Sequence, residues 1–374
     1  MSELDLCLAE FEAELAAQQI ERAPASPIAG KAWLGIEQAL MAQFINADLG
    51  RYYGGCAEDQ IIYQLKAQLF RRRHLPGNNP LSRGVHADAG IALSATVLGV
   101  PWTTGDNNEP WARGEPPVRS ESDLDSRPLP DFHTAGMTPV VLRKHSDMKR
   151  LLGPSFHVGF PDWNRGPLGN AFYLAGAEQT LLSMYTDRPF FHRLMRFGLD
   201  AMKKWLADRA AYLNEPIAQS GCWLFNDEVS AENFPPRLYA QLIAPYDREY
   251  AQIFGGRVGF HSCGNTTPLM ETIAAVGTWS HFHVSAWSDL ATAIRSFPDI
   301  PIHVSLHPYK EVLGCPLRDT ERRVKEVIRI CNGRPFSLGI SELMPVNGPI
   351  ADLQRIRDVW ALCEDVLSDA GCCP

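Results

Sequence analysis

The chain has 374 residues, 45% of them hydrophobic, and a formal net charge of −8. That length supports a large buried core, and the acidic balance excludes the basic footprint of a nucleic-acid-binding or polybasic membrane-surface protein. No stretch offers the ~18 consecutive apolar residues of a membrane span, and the nine cysteines, scattered and odd in number, form no disulfide framework, which points to a reducing cytoplasm.

The N-terminus has no basic segment leading into an apolar one, so no signal peptide is expected. Ser2 to Gln19 reads as a capped amphipathic helix, with Leu4, Leu8, Phe11 and Leu15 at helical spacing. Ala23 to Ile28 is a proline-containing break. Ala32 to Ala47 carries Ile36, Leu40 and Phe44 on one face, and Glu58 to Arg73 carries Ile61, Leu65 and Leu69, so both predict helices. The run Arg71-Arg72-Arg73-His74 reads as a solvated helix end. Between Pro101 and Pro130, six prolines fall among Gly, Asn, Asp and Ser, the composition of a loop. A loop of that length is often a lid or binding segment, and its Trp102 and Trp111 either cover a pocket or simply pack. Residues 1–130 therefore read as N-terminal helices and a long loop packed on the main body, 131–374, of a single structural domain.

From there strand-like and helical runs alternate. Pro154 to Phe160, Cys222 to Phe225, Val258 to Phe260, Phe282 to Ser285, Ile302 to His307 and Phe336 to Ile340 read as strands. Between and after them lie helical segments, among them Arg188 to Tyr212, Pro236 to Phe254, Thr320 to Cys331 and Ile350 to Ala370. Such alternation predicts parallel β/α units, and their number suits a (β/α)8 TIM barrel with an N-terminal helical extension. Barrel sites are built at the C-terminal ends of strands. Polar residues collect there: Asn226, Asp227 and Glu228, then His261 and Cys263, His283, His307 and Glu342. Residues two apart on a strand point to the same side, so His261 and Cys263 are able to converge on one ion, and imidazole with thiolate is a zinc donor pair. An H-x-C alone is equally a core histidine beside a buried thiol, and Asp227 and Asn265 are also ordinary turn residues.

The order and spacing of several pieces resemble the uroporphyrinogen decarboxylase superfamily, and within it the methylcobalamin-dependent methyltransferase branch. The pieces are Gly166-Pro167, Ala175-Gly176-Ala177-Glu178, Tyr185-Thr186-Asp187-Arg188-Pro189, Asn226-Asp227-Glu228, Pro245, His261-Ser262-Cys263-Gly264-Asn265, and Gly339 with Pro345. The resemblance runs from about Tyr52 to the last helix and implies the same barrel. No Arg-rich porphyrinogen loop occurs in Ser26 to Phe44, which argues against porphyrinogen decarboxylation. In the thiol-methylating branch H-x-C and a distant cysteine on a late strand hold zinc; here Ile340 stands where that cysteine is expected. Glu342 is the first substitute as third ligand, His307 the second and Cys315 the third.

The resemblance implies a zinc-dependent enzyme that moves a methyl group between a corrinoid protein and a small thiol or other small substrate. Zinc binding deprotonates a thiol whose ordinary pKa is ~8.5. In this reading His261, Cys263 and Glu342 hold the metal. Asp227 and Asn226 orient the substrate or a metal-bound group, and His307 or His283 carries a proton. Asp131-Phe132-His133-Thr134-Ala135-Gly136 spells the D-x-H-x-x-G string of corrinoid-binding domains, but the later motifs of that domain do not follow in order, so methylcobalamin is expected on a partner. A homodimer is a common state for such proteins. Two rivals remain: a decarboxylase-like lyase acting on a small non-porphyrin acid, with Arg83, Arg165 and Arg318 available for an anion, and a barrel that binds without catalysis.

Overall fold

Among the described residues, eight parallel strands carry the architecture. The computed structural model describes residues 1–18, 32–77, 79–103, 109–163, 165–217 and 222–371; the Ala23 to Ile28 break lies outside them. In chain order the strands are β1 (Ala32–Ile36), β2 (Gly84–His86), β3 (His157–Gly159), β4 (Trp223–Phe225), β5 (Val258–His261), β6 (Trp279–Val284), β7 (Ile302–Ser305) and β8 (Phe336–Leu343). They form a TIM barrel whose hydrogen-bonded ladder runs in two arcs. One arc pairs β4, β5, β6, β7, β8 and β1 in that order, and the other pairs β2 with β3. One hydrophobic cluster runs from Leu4 to Leu367.

The helical pattern read across Ala32 to Ala47 is corrected: Ala32–Ile36 is a strand, and the helix is Gln38–Phe44. Parallel pairing of Ala32, Trp33 and Leu34 with Leu338, Gly339 and Ile340 overrides the local period. Two barrel strands, β1 and β2, therefore lie in the first 130 residues, which supply part of the barrel itself as well as packing on it. The proline-rich stretch holds a two-stranded antiparallel pairing of Trp102–Thr103 with Trp111–Ala112 and a short helix, Glu121–Asp125, started by a Ser120–Asp123 capping box. The basic run ends the helix Ala57–His74, where Arg73 pairs with Glu10 and Glu14 of the first helix, Glu3–Ala17.

Alternation along the strands sorts the side chains. Val258, Phe260, Phe282, Val304, Leu338 and Ile340 are buried on the face opposite the barrel interior, where the helices cover them. The interior is aromatic and imidazole-rich. Trp33 stacks on His303 at 4.8 Å, Trp223 lies 5.7 Å from His281, and His283 lies 5.7 Å from His303. Two glycines make room for these rings. A Cβ at Gly259 would come within 2.6 Å of the Trp223 indole, and one at Gly339 within 3.0 Å of Trp33. Gly259→Ala should therefore overpack the interior and lower stability by about 1–3 kcal/mol. Urea unfolding of the variant beside the wild type measures this.

Candidate functional site

The C-terminal ends of β4, β5 and β8 bring three kinds of donor together. Asp227 stands just beyond β4, His261 closes β5, and Cys263 follows two residues later. Their ligand atoms all lie within 4.8 Å of one another. His261 Nε2 is 3.2 Å from Cys263 Sγ and 3.5 Å from Asp227 Oδ1. The Cys263 amide donates to the same Asp227 oxygen at 3.1 Å. The other oxygen, Oδ2, is paired with the Arg165 guanidinium, which also lies 3.7 Å from Glu228 and donates to the Tyr173 hydroxyl at 3.1 Å.

Glu342 comes to this group by an unusual route. Ser337 and Gly339 face the barrel interior, as the Ser337–His303 hydrogen bond and the Trp33 contact require, so Glu342 would face outward by strict alternation. Its backbone is left-handed, with φ of 58°, a conformation that costs a non-glycine residue roughly 1–2 kcal/mol. The kink turns the carboxylate to the mouth, where Cys263 Sγ donates to Oε1 at 3.5 Å. Ile340 is fully buried and faces the helices, so position 340 has no line to the mouth.

Electrostatics at this point are lopsided. Burial, then the charges of Asp227 and Glu342, push the Cys263 thiol far above its ordinary range. Burial holds His261 below the usual imidazole range, although both carboxylates oppose it. A cation placed among these groups would offset the two carboxylate charges and allow the thiol to ionise. Tetrahedral zinc with bonds of about 2.0–2.3 Å keeps its donors roughly 3.3–3.8 Å apart; the His261–Asp227 separation of 3.5 Å lies in that range and the His261–Cys263 separation of 3.2 Å just below it. The donor set, one nitrogen, one sulfur and one carboxylate oxygen, fits zinc.

The other strand-end and motif residues fall elsewhere, and three of them are engaged by partners of their own. Asn226 is fully buried and donates its amide to both oxygens of Asp247, at 3.1 and 3.0 Å, so it has no face toward a substrate. His283 is buried behind His261, stacked on it at 4.2 Å, with its ring nitrogens at 3.1 Å from the Ser262 carbonyl and 2.8 Å from the Ser305 hydroxyl. That position suits a support for His261 and not a proton carrier to substrate. His307 accepts from the amides of Tyr309 and Lys310 through Nδ1, at 3.2 Å each, and so caps the turn after β7. Cys315 sits near Arg355 and Thr320. The Asp131–Gly136 string forms a turn, with Asp131 accepting from the His133 amide and the Thr134 hydroxyl and Phe132 buried. Arg83 is tied to Glu12, and Arg165 to Asp227.

Sequence reasoning missed Glu37 and Glu109. Both line a cavity of about 660 Å³ beside the mouth, with Thr103, Trp111, Arg113 and Met344 among its other walls. Glu37 follows β1 directly and would have entered the strand-end set had Ala32–Ile36 been read as a strand. Glu109 lies in a loop and carries no sequence signal.

The family model for uroporphyrinogen decarboxylase (URO-D) matches residues 85–360. Among curated proteins none matches the sequence. A methyltransferase from Methanosarcina mazei has a similar structure, with a TM-score of 0.62 at 15% identity, over 97% of this chain and 98% of its own. A Listeria monocytogenes protein designated a vitamin-B12 independent methionine synthase aligns with a TM-score of 0.40 at 14% identity, over 64% of this chain and 72% of its own.

The wall behind the site carries its own pH signature. Asp247 is fully buried, and burial raises its carboxyl to about 7, although Asn226 and Tyr239 both donate to it. The folded chain therefore holds this proton more tightly than the unfolded one, whose aspartate titrates near 3.9. The contribution is complete below about pH 4 and is lost as pH rises toward 7. Chemical unfolding at several pH values should show Asp247→Asn with a shallower fall across that window than the wild type.

Proposed function

The chain belongs to the uroporphyrinogen decarboxylase family, and from that premise we propose that it is a zinc-dependent methyltransferase, moving a methyl group between a corrinoid on a partner protein and a small thiol or other small substrate. The observation that carries the reading is the convergence of Asp227, His261 and Cys263 at the barrel mouth. His261, Cys263 and one carboxylate hold the metal. Asp227 is the better placed of the two acids, since its ligand oxygen is within reach of both other donors, while Glu342 contacts Cys263 alone within the set. Bound zinc supplies a Lewis acid that keeps a substrate thiol deprotonated near neutral pH.

The chain's own residues do the rest. Arg165 fixes Asp227 from behind, leaving the other oxygen toward His261 and the Cys263 amide. His283 stacks on the His261 ring and holds its plane. Glu342 offers a second carboxylate at the thiol, suited to accept a proton from an incoming substrate. Exposed apolar side chains on the loops after β6, β7 and β8, namely Trp287, Tyr309, Met344 and Val346, suit the face of a docking corrinoid protein. The lyase alternative calls for a basic pocket for a small acid; Arg83 and Arg165 are instead spent on Glu12 and Asp227, and Arg318 is exposed on the helix Leu317–Cys331.

Elemental analysis of purified protein tests the metal. Near-stoichiometric zinc in the wild type, with most of it lost from Cys263→Ser, is expected. Wild-type protein without zinc, prepared in the absence of chelators, would remove the mechanism and bring the lyase forward. Asp227→Ala should lower methyl transfer from a methylcorrinoid to a thiol by at least roughly 10- to 100-fold, read as turnover at saturating donor.

A further inference from the structure

The cavity beside the mouth has a chemistry of its own. Glu37 and Glu109 both line it, and among the described residues neither carboxylate has a hydrogen-bond or ion-pair partner. Arg113 lines the same space yet pairs with neither. Asp88 adds further negative charge next to Glu109, and Glu342 next to Glu37. Burial first, then the neighbouring charges of Asp88 and Glu37, raise the Glu109 carboxyl to about 7. Trp111, 54% exposed, lines the cavity as well, and Met344, two residues beyond Glu342, adds an apolar wall.

We infer that this cavity binds the cationic head of a small molecule, an ammonium group seated between the Glu37 and Glu109 carboxylates and the Trp111 ring. An aromatic face attracts a cation within about 6 Å, most strongly for weakly hydrated ammonium. Two carboxylates in a partly dry cavity add a charge term that an anionic substrate would oppose. The volume of about 660 Å³ suits a small organic cation with room for an attached chain. The purpose of the pocket rests on the methyl-transfer reading, for which it specifies a substrate class: amine- or ammonium-bearing molecules in place of anionic acids. Its binding chemistry stands independently of that reading.

Calorimetric titration with tetramethylammonium chloride, beside its uncharged near-isostere tert-butanol, tests this on the full chain at low salt. The cation is expected to bind saturably and at least about tenfold more tightly than the alcohol. Glu37→Gln and Glu109→Gln should each weaken it roughly three- to tenfold, and Trp111→Ala comparably. Thermal unfolding identifies any variant that fails to fold, and the other two then carry the comparison. Absence of cation binding, equal binding of the two probes, or binding unchanged in the folded variants would overturn the inference. Zinc measured in the same wild-type preparation separates the two proposals. Cation binding without zinc leaves the pocket standing and removes the methyl-transfer reading, and zinc without cation binding does the reverse.

Discussion

The rim is tied together by one carboxylate. Asp227 accepts the Cys263 amide with the oxygen that faces His261, and pairs the other with Arg165. Breaking such a pair from one side leaves a partly buried charge without compensation, typically more costly than the pair is stabilising. Here the charge left behind would be Arg165, whose one remaining carboxylate among the described residues, Glu228, lies farther off at 3.7 Å. Loss of Asp227 thus frees the turn after β5 and the segment that carries Arg165 at once. The donor geometry follows from that tie, because H-x-C alone fixes only which side of the strand the two side chains share.

The sequence made the barrel legible because its later strands alternate with helices, short after β5 and β6 and long in Leu317–Cys331 and Pro349–Asp369. β5 through β8 and their helices stand close to where periodicity puts them. β1 was hidden because Ile36, Leu40 and Phe44 satisfy a helical period while Trp33 and Leu34 pair with β8, a long-range contact that no local pattern encodes. The same misreading concealed Glu37. His261, Cys263 and Asp227 could be found from strand ends. His307, Asn226 and His283 met the same criterion, yet capping, a buried amide–carboxylate pair and ring stacking claim them. Strand-end position narrows the choice, and side-chain hydrogen bonding, invisible in sequence, decides it.

Ile340 illustrates how register governs chemistry. Its position belongs to the helix-facing side of β8, and a donor placed there would sit in the apolar layer. A carboxylate reaches the mouth from this strand only because Glu342 adopts a left-handed backbone. Strained conformations of this kind persist where the surroundings over-determine them; here Leu343 on one side is fully buried and its carbonyl accepts the Glu37 amide at 3.2 Å.

The two hydrogen-bonded arcs of the barrel divide the labour unevenly. Every donor of the proposed metal set comes from the six-stranded arc, at the ends of β4, β5 and β8. Asp88, Glu109, Trp111 and Arg113 all belong to the connection between β2 and β3, the two strands of the smaller arc. Loops tolerate exchange far better than paired strands do. Substitutions in that one connection would therefore reshape much of the cavity wall while leaving Glu37, Met344 and the rim donors of the larger arc in place.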